Sequence, residues 1–386
     1  MADPLAITQN LIRCPSVTPV EGGALDYLEN LLKAAGFVTH RVIFEGDGSY
    51  PVDNLYARYG TGHPHFCYGG HTDVVPVGDE GDWIHPPFGA VIDGDVLYGR
   101  GAVDMKGSIG SFTAAALNFL DANPDFGGSI SLLITGDEEA DSINGTEKLI
   151  RWVYEQGETI DACIVGEPTN LKVIGDSIKV GRRGSLSGSL VVEGIQGHVA
   201  YQENADNPIA RALPLLSALI DTPLDDGTDH FQPSNLEITT VDVGNPAKNI
   251  IPARLEARFN VRFNDLWTAE TLKGEIQTRL DRAAQVGTQF TLAFVPVVSE
   301  NFLTQNPGLI EPLEQAIETV TGRRPALSTG GGSSDARYIK NYCPVIEFGL
   351  LSETIHKVDE RTSLDDLQTL THIFNRFLCI YFNAEK

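Results

Sequence analysis

Phe66-Cys67-Tyr68-Gly69-Gly70-His71-Thr72-Asp73 is an apolar run that ends on an imidazole and a carboxylate. Two later stretches have the same form. Ile130-Ser131-Leu132-Leu133-Ile134 leads into Thr135-Gly136-Asp137-Glu138-Glu139, and Ala162-Cys163-Ile164-Val165 leads into Gly166-Glu167. Short apolar runs like these, alternating with helical segments, predict the strands of an α/β sheet. Open α/β sheets bind ligands at the carboxyl ends of their parallel strands. Strand ends that deliver His, Asp and Glu to one crevice predict a metal site, and Asp104 and a late His356 add further donors.

Outward from these runs the pattern extends in both directions. Leu5, Leu11, Ile12, Leu25, Leu28, Leu31 and Leu32 recur mostly at helical intervals over 4–36, with a break near Pro15 to Pro19 and Gly36 as a stop. Strands are predicted at 38–44, 54–59, 65–68, 130–134 and 161–165, and helices at 107–120 and 145–156. This alternation predicts a largely parallel sheet with helices on both faces. Near residue 180 the character changes. Period-two alternation at 185–192, 237–243 and 254–262, helices at 208–220 and 268–286, and a last strand at 290–297 give a β-α-β-β-α-β order. That order predicts a ferredoxin-like α+β domain. The α/β character then returns, with a helix at 309–320, a strand at 343–348 and a long helix at 364–382. The fold class is therefore α/β: a sheet domain sandwiched by helices (1–181 and 296–386), with a ferredoxin-like domain inserted at 182–295.

Composition narrows the partners. At 386 residues and 42% hydrophobic, the chain buries two domains' worth of core. Its 28 Lys+Arg against 52 Asp+Glu give a formal net charge of −24, which opposes nucleic acid and anionic membranes as partners. Met1-Ala2-Asp3-Pro4 has no basic leader, and no apolar run is long enough to span a bilayer. The five cysteines Cys14, Cys67, Cys163, Cys343 and Cys379 have no paired spacing and read as reduced thiols. Together these features predict a cytoplasmic protein.

The donors have the chemistry of a two-metal site. Such a site needs terminal ligands on each ion, a bridging carboxylate and a shared water, with the ions about 3.5–4 Å apart. His71 supplies an imidazole, and Asp73 is placed to hold its other ring nitrogen. Asp104, in Gly99-Arg100-Gly101-Ala102-Val103-Asp104-Met105-Lys106-Gly107, sits in a tight turn before a helix and can reach both ions. Glu138 and Glu139 are adjacent and point apart, so one can be a ligand and the other a general base. Glu167 and His356 each complete one shell.

Gly70-His71-Thr72-Asp73-Val74-Val75-Pro76, the Asp104 turn, Thr135-Gly136-Asp137-Glu138-Glu139 and Gly166-Glu167-Pro168-Thr169 resemble the M20 family of di-zinc metallohydrolases, over essentially the whole chain. The resemblance implies His71 and Glu167 on one zinc, Glu139 and His356 on the other, and Asp104 bridging. It also implies Glu138 as general base and Asp73 as the orienter of His71. Cobalt or manganese can substitute at such carboxylate and imidazole sites.

Three stretches lie outside the metal chemistry: 178–186 with Arg182-Arg183, 197–208 with His198 and Tyr201, and the glycine-rich 328–338. Its Gly330-Gly331-Gly332 run lets backbone approach a ligand and present N–H groups to an anion. Within the family these stretches are similar to the branch that hydrolyses N-succinyl-LL-2,6-diaminopimelate in bacterial lysine and peptidoglycan precursor synthesis. That similarity implies substrate contacts from Arg182, Tyr201, Asn249, Arg262, Thr329, Gly330 and Arg337, with arginine forks on the substrate carboxylates. His198 is implied as the oxyanion donor, supplied across a homodimer by the inserted lid and dimerisation domain. Gln202-Glu203, after Tyr201, is a departure from the family pattern, acidic where a less charged pair is expected. The competing readings are an acetylornithine deacetylase or dipeptidase of the same family, and a non-catalytic zinc-dependent binding protein on the same fold.

Overall fold

The chain forms two compact units: Met1–Val180, Thr304–Ser328 and Ser334–Lys386 form the first, Gly181–Leu303 and Thr329–Ser333 the second. The computed structural model describes residues 1–296 and 299–384. The first unit contributes strands β1 (Val38–Gly46), β2 (Ser49–Tyr59), β3 (His65–His71), β4 (Ser129–Thr135), β5 (Ala162–Val165) and β6 (Ser177–Lys179). The second contributes β7 (Gly184–Glu193), β8 (Asn235–Asp242), β9 (Arg254–Phe263) and β10 (Gln289–Phe294). Two more strands, β11 (Ala326–Ser328) and β12 (Val345–Glu347), return to the first. The helices are α1 (Pro4–Ile12), α2 (Ala24–Ala34), α3 (Lys106–Ala122), α4 (Thr146–Glu155), α5 (Pro208–Ile220), α6 (Ala269–Ala283), α7 (Pro307–Thr321) and α8 (Leu364–Tyr381).

In the first unit an eight-stranded sheet runs β1-β2-β4-β3-β5-β12-β6-β11. Its centre, β4-β3-β5-β12, is parallel. The sheet as a whole is mixed, which corrects the expectation of a largely parallel one, because β1, β2 and β6 enter antiparallel. At one edge the cause is local. Asp47 and Gly48, at φ of +54° and +79°, make a two-residue turn between β1 and β2, and so short a connection forces antiparallel pairing.

Every residue of β3 is buried, as expected for a central strand covered on both faces. Its glycines show what covers each face. A Cβ on Gly70 would meet Met105 Cε at 2.8 Å and Ile109 in α3, whereas one on Gly69 would meet Ile339 Cδ1 at 3.2 Å, in the short helix Ala336–Ile339. On the α3 face, Tyr68 stacks on Phe112 at 4.2 Å between centroids, and the Phe374 ring of α8 stands edge-on to both. Stacked and edge-on aromatic contacts of this kind add to area burial and fix ring positions.

The second unit has the predicted ferredoxin-like order. Its sheet runs β8-β9-β7-β10, entirely antiparallel. Leu215 and Leu219 of α5 and Leu272, Ile276 and Leu280 of α6 pack with Leu186, Leu190, Phe259 and Val261 in one core. The strand expected over 290–297 ends at Phe294, and its predicted last residue, Val297, lies outside the described residues.

Candidate metal centre

Three neighbouring parallel strands build the centre. His71 ends β3 and pairs in register with Thr135, the last residue of β4, while Gly69 pairs with Val165 at the end of β5. Glu138-Glu139, His71 and Glu167 therefore emerge side by side at one edge. Asp104 arrives from the turn before α3, and His356, at φ +58°, from the loop after β12.

Asp104 faces two imidazoles, one with each carboxylate oxygen. Its Oδ1 lies 3.2 Å from His71 Nε2, and its Oδ2 lies 3.3 Å from His356 Nε2. His71 Nε2 is also 3.8 Å from Glu167 Oε1, and His356 Nε2 is 3.0 Å from Glu139 Oε1. Donor atoms of His71, Asp104 and Glu167, of Asp104, Glu139 and His356, and of His71, Glu138 and Glu139 form three groups, each within 4.8 Å. All the donors are imidazole or carboxylate, the set that suits zinc and similar divalent ions.

Electrostatics favour a cation here. Burial alone would lower the His71 pKa, yet the hydrogen bond to Asp104 and the charge of Asp73 hold it well above the ordinary imidazole value. Hydrogen bonds to Asp104 and Glu139 push His356 up to about 10. Burial works to raise Asp104, but bonds from His356 and His71 hold it well below the carboxylate range. Glu138 goes the other way: its burial, reinforced by the charges of Asp335 and Glu139, pushes its pKa well up against the pull of His71. Glu138 and Asp104 are thus displaced in opposite directions within one acidic group.

Asp73 meets His71 chiefly through its main chain. The His71 Nδ1 proton goes to the main-chain carbonyl of Asp73 at 3.0 Å, with the carboxylate Oδ1 3.6 Å away. The carboxylate instead accepts the main-chain N–H groups of Glu138 (3.2 Å) and Glu139 (3.1 Å) and the Thr18 hydroxyl (2.8 Å). It fixes the turn that carries Glu138 and Glu139, as well as setting a charge beside His71.

Residues 67–379 match the family model described as Peptidase family M20/M25/M40. The chain belongs to this family. A curated relative, succinyl-diaminopimelate desuccinylase of Methylobacterium nodulans, is 57% identical over 383 residues, 99% of this chain and 97% of that protein. Among solved structures, an M20 family metallo-carboxypeptidase from Sulfolobus solfataricus shares the fold with a TM-score of 0.79 at 19% identity, covering 99% of this chain and 100% of its own. A dinuclear metal-binding M20 peptidase from Bacillus subtilis gives a TM-score of 0.70 at 16% identity, covering 99% and 96%. No described helix of this M20 chain is long and apolar enough to cross a membrane.

The other candidate residues of this M20 chain divide between the two units. Arg337 is in the first, its guanidinium 4.7 Å over the Tyr338 ring. Arg182, His198, Tyr201, Asn249, Arg262, Thr329 and Gly330 are in the second. There Arg262 has a lowered pKa through burial and the nearby charges of Arg183 and Arg182, which marks a concentration of positive charge in an acidic protein. Arg182 also donates to Gly332 O at 2.5 Å, so the glycine loop turns a carbonyl toward the arginine. Thr329 Oγ1 donates to His230 O at 2.7 Å. His198 is exposed, its Nδ1 accepts the Ala200 N–H at 3.0 Å, and the Tyr201 ring stands 5.6 Å away. Asn249 O accepts from the Val199 N–H at 3.0 Å.

Sequence reading missed three supporting residues. Asp137, quoted without a role, accepts the Tyr50 hydroxyl (2.6 Å) and the N–H groups of Ile143 (2.9 Å) and Asn144 (3.2 Å). Thr18 and Glu360 carried no signal, because their partners are a distant carboxylate and main-chain amides.

Proposed function

We propose that this chain hydrolyses N-succinyl-LL-2,6-diaminopimelate to succinate and LL-2,6-diaminopimelate, a step of bacterial lysine and peptidoglycan precursor synthesis. The observation that carries the chemistry is Asp104, whose two oxygens face two different imidazoles. The substrate follows from the relative of that name at 57% identity, and is supported by the cluster of Arg182, Arg183 and Arg262, which suits a substrate with several carboxylates.

In this reading His71, Glu167 and Asp104 would hold one zinc and Glu139, His356 and Asp104 the other; cobalt or manganese could take their places. When bound, the pair supplies Lewis-acid polarisation of the amide carbonyl and a water of lowered pKa. Glu138 takes a proton from the attacking water and returns it to the leaving amine, and its raised pKa suits both transfers. His198 donates from Nε2 to the oxyanion of the tetrahedral intermediate. Its Nδ1 already accepts a main-chain N–H, which favours the proton on Nε2. Arg182, Arg262 and Arg337 take the substrate carboxylates, with Tyr201, Asn249, Thr329 and Gly330 around them. The protein acts as a cytoplasmic homodimer in which the second unit serves as lid and dimerisation domain. Exposed Ile209, Leu213 and Ile220 on α5 and Val241 on the edge strand β8 support that unit as the subunit contact.

The test is hydrolysis of N-succinyl-LL-diaminopimelate beside N-acetylornithine by the zinc-loaded protein, with a chelated control. A strong, chelator-sensitive preference for the succinyl substrate is expected. Preference for the acetyl substrate would overturn the arginine-based specificity and keep the metal chemistry.

A further inference from the structure

Glu360 is no candidate ligand, yet its carboxylate is enclosed by the loop that carries Asp104. The residue is 1% exposed. Its Oε1 accepts the main-chain N–H groups of Val103 (2.9 Å) and Asp104 itself (3.1 Å). Its Oε2 accepts the N–H of Gly101 (3.0 Å) and Nη1 of Arg100 (2.9 Å). The Glu360 carbonyl in turn accepts the Gly99 N–H at 2.9 Å. Four donors from residues 99–104 thus close on one side chain.

The same knot reaches the other ligand loop. Glu360 lies four residues after His356, and Arg100 Nη1 also donates to the carbonyl of Lys357 at 3.1 Å. Thr354 Oγ1 donates to Arg361 O (3.0 Å) and accepts the Arg361 N–H (3.2 Å), which closes the 354–361 loop on itself. His356 is therefore held from a segment anchored at one end to the Asp104 turn. Asp104 and His356 contribute to the same group of donors, with Glu139. Glu360 and Arg100 tie the Asp104 turn to the segment that follows His356. A buried carboxyl group whose oxygens are saturated by main-chain N–H groups and an arginine is a stiff link, since loosening it exposes several unpaired donors at once.

We infer that Glu360 is a positioning residue that sets Asp104 against His356, and so governs metal affinity at the Asp104, Glu139 and His356 position more than at the His71, Asp104 and Glu167 position. This rests on the two-metal reading above. The sequence spacing gives it no signal, because main-chain N–H groups are blind to residue type.

The test is zinc titration of metal-free wild type, Glu360→Gln and Arg100→Lys by calorimetry, with circular dichroism and melting curves as a check on folding. Wild type is expected to bind two zinc ions. Glu360→Gln keeps the shape but removes the charge, and is expected to leave one step unchanged while weakening the other about 10–100-fold. Arg100→Lys, which leaves the three main-chain N–H bonds in place, shifts the same step by less. In a His356→Ala background Glu360→Gln has no further effect on the remaining step, since the position it supports is already lost. At saturating zinc the kcat of Glu360→Gln recovers and KM is unchanged. Equal weakening of both steps, an unaffected second step, or an undiminished effect in the His356→Ala background would overturn the inference. Should Glu360→Gln fail to fold, Arg100→Lys decides by the same criteria. Binding of fewer than two ions by wild type would instead overturn the two-metal reading.

Discussion

Glu138 and Glu139 are chemically identical neighbours, and their surroundings give them different tasks. Glu139 Oε1 faces His356 at 3.0 Å, while burial and neighbouring carboxylates push the Glu138 pKa up. Glu138→Gln preserves size and the main-chain bond to Asp73 but cannot carry a proton. It is expected to retain both metals by elemental analysis while kcat falls about 10²–10⁴-fold; ordinary turnover with full metal content would remove Glu138 as the base. A second residue-scale prediction concerns His65, a histidine away from the donor cluster. It is fully buried, donates from Nδ1 to Thr159 O (2.7 Å) and accepts at Nε2 from the Ser131 hydroxyl (2.8 Å). Burial, helped by the charge of Arg58, pushes its pKa down to about 4. Between pH 6.5 and 4 the unfolded chain takes a proton there that the folded chain refuses, so stability falls as pH drops through that window. Above 6.5 the group contributes no slope, and the whole loss amounts to about 3 kcal/mol. Urea melts of wild type minus His65→Asn across this range should show that slope; an identical pH dependence in both proteins would exclude His65 as its source.

At the level of elements, the parallel centre of the sheet needs glycine where strands hand over to ligands. A Cβ on Gly166, between β5 and Glu167, would stand 1.8 Å from Tyr68 Oη and 2.6 Å from Ser108 Oγ. Tyr68 is stacked on Phe112 and cannot retreat. Gly166→Ala is therefore expected to destabilise the protein by about 1–3 kcal/mol or more, with weaker zinc binding because Glu167 is displaced. Gly274→Ala, in α6 with open space around its Cβ, is the control and should stabilise by about 0.5–1 kcal/mol. Melting temperatures of the two variants that moved in the same direction would contradict this packing account. The elements themselves were largely legible. β3, β4 and β5 read directly as apolar runs, and α5 is predicted at its observed bounds, Pro208–Ile220; in the structure Asn207 caps it and Pro208 opens it. The antiparallel edge was missed although the Asp47-Gly48 turn signal was present in the sequence.

For the molecule as a whole, a net charge of −24 and a buried group of carboxylates make the metal-free state electrostatically costly. Removing metal with a chelator is expected to lower the melting temperature, and adding zinc at 100 times its Kd should restore about 2.7 kcal/mol. All the candidate ligands are in the first unit, so a transition belonging to the second should not move with zinc. A melting curve indifferent to chelator would mean that the donors hold no ion. By itself the sequence determined the α/β class and the inserted antiparallel domain, and it offered the residue types of the candidate metal centre. Apolar periodicity and strand-end placement are local properties of a chain, and they survive without coordinates. Only the tertiary structure decided how those residues are held. That the two oxygens of Asp104 face different imidazoles, that Asp73 clamps the Glu138-Glu139 turn, and that Glu360 closes on the Asp104 loop all depend on long-range hydrogen bonds. Several of those bonds end on main-chain N–H groups, which every residue but proline carries, so no pattern of side chains could have announced them.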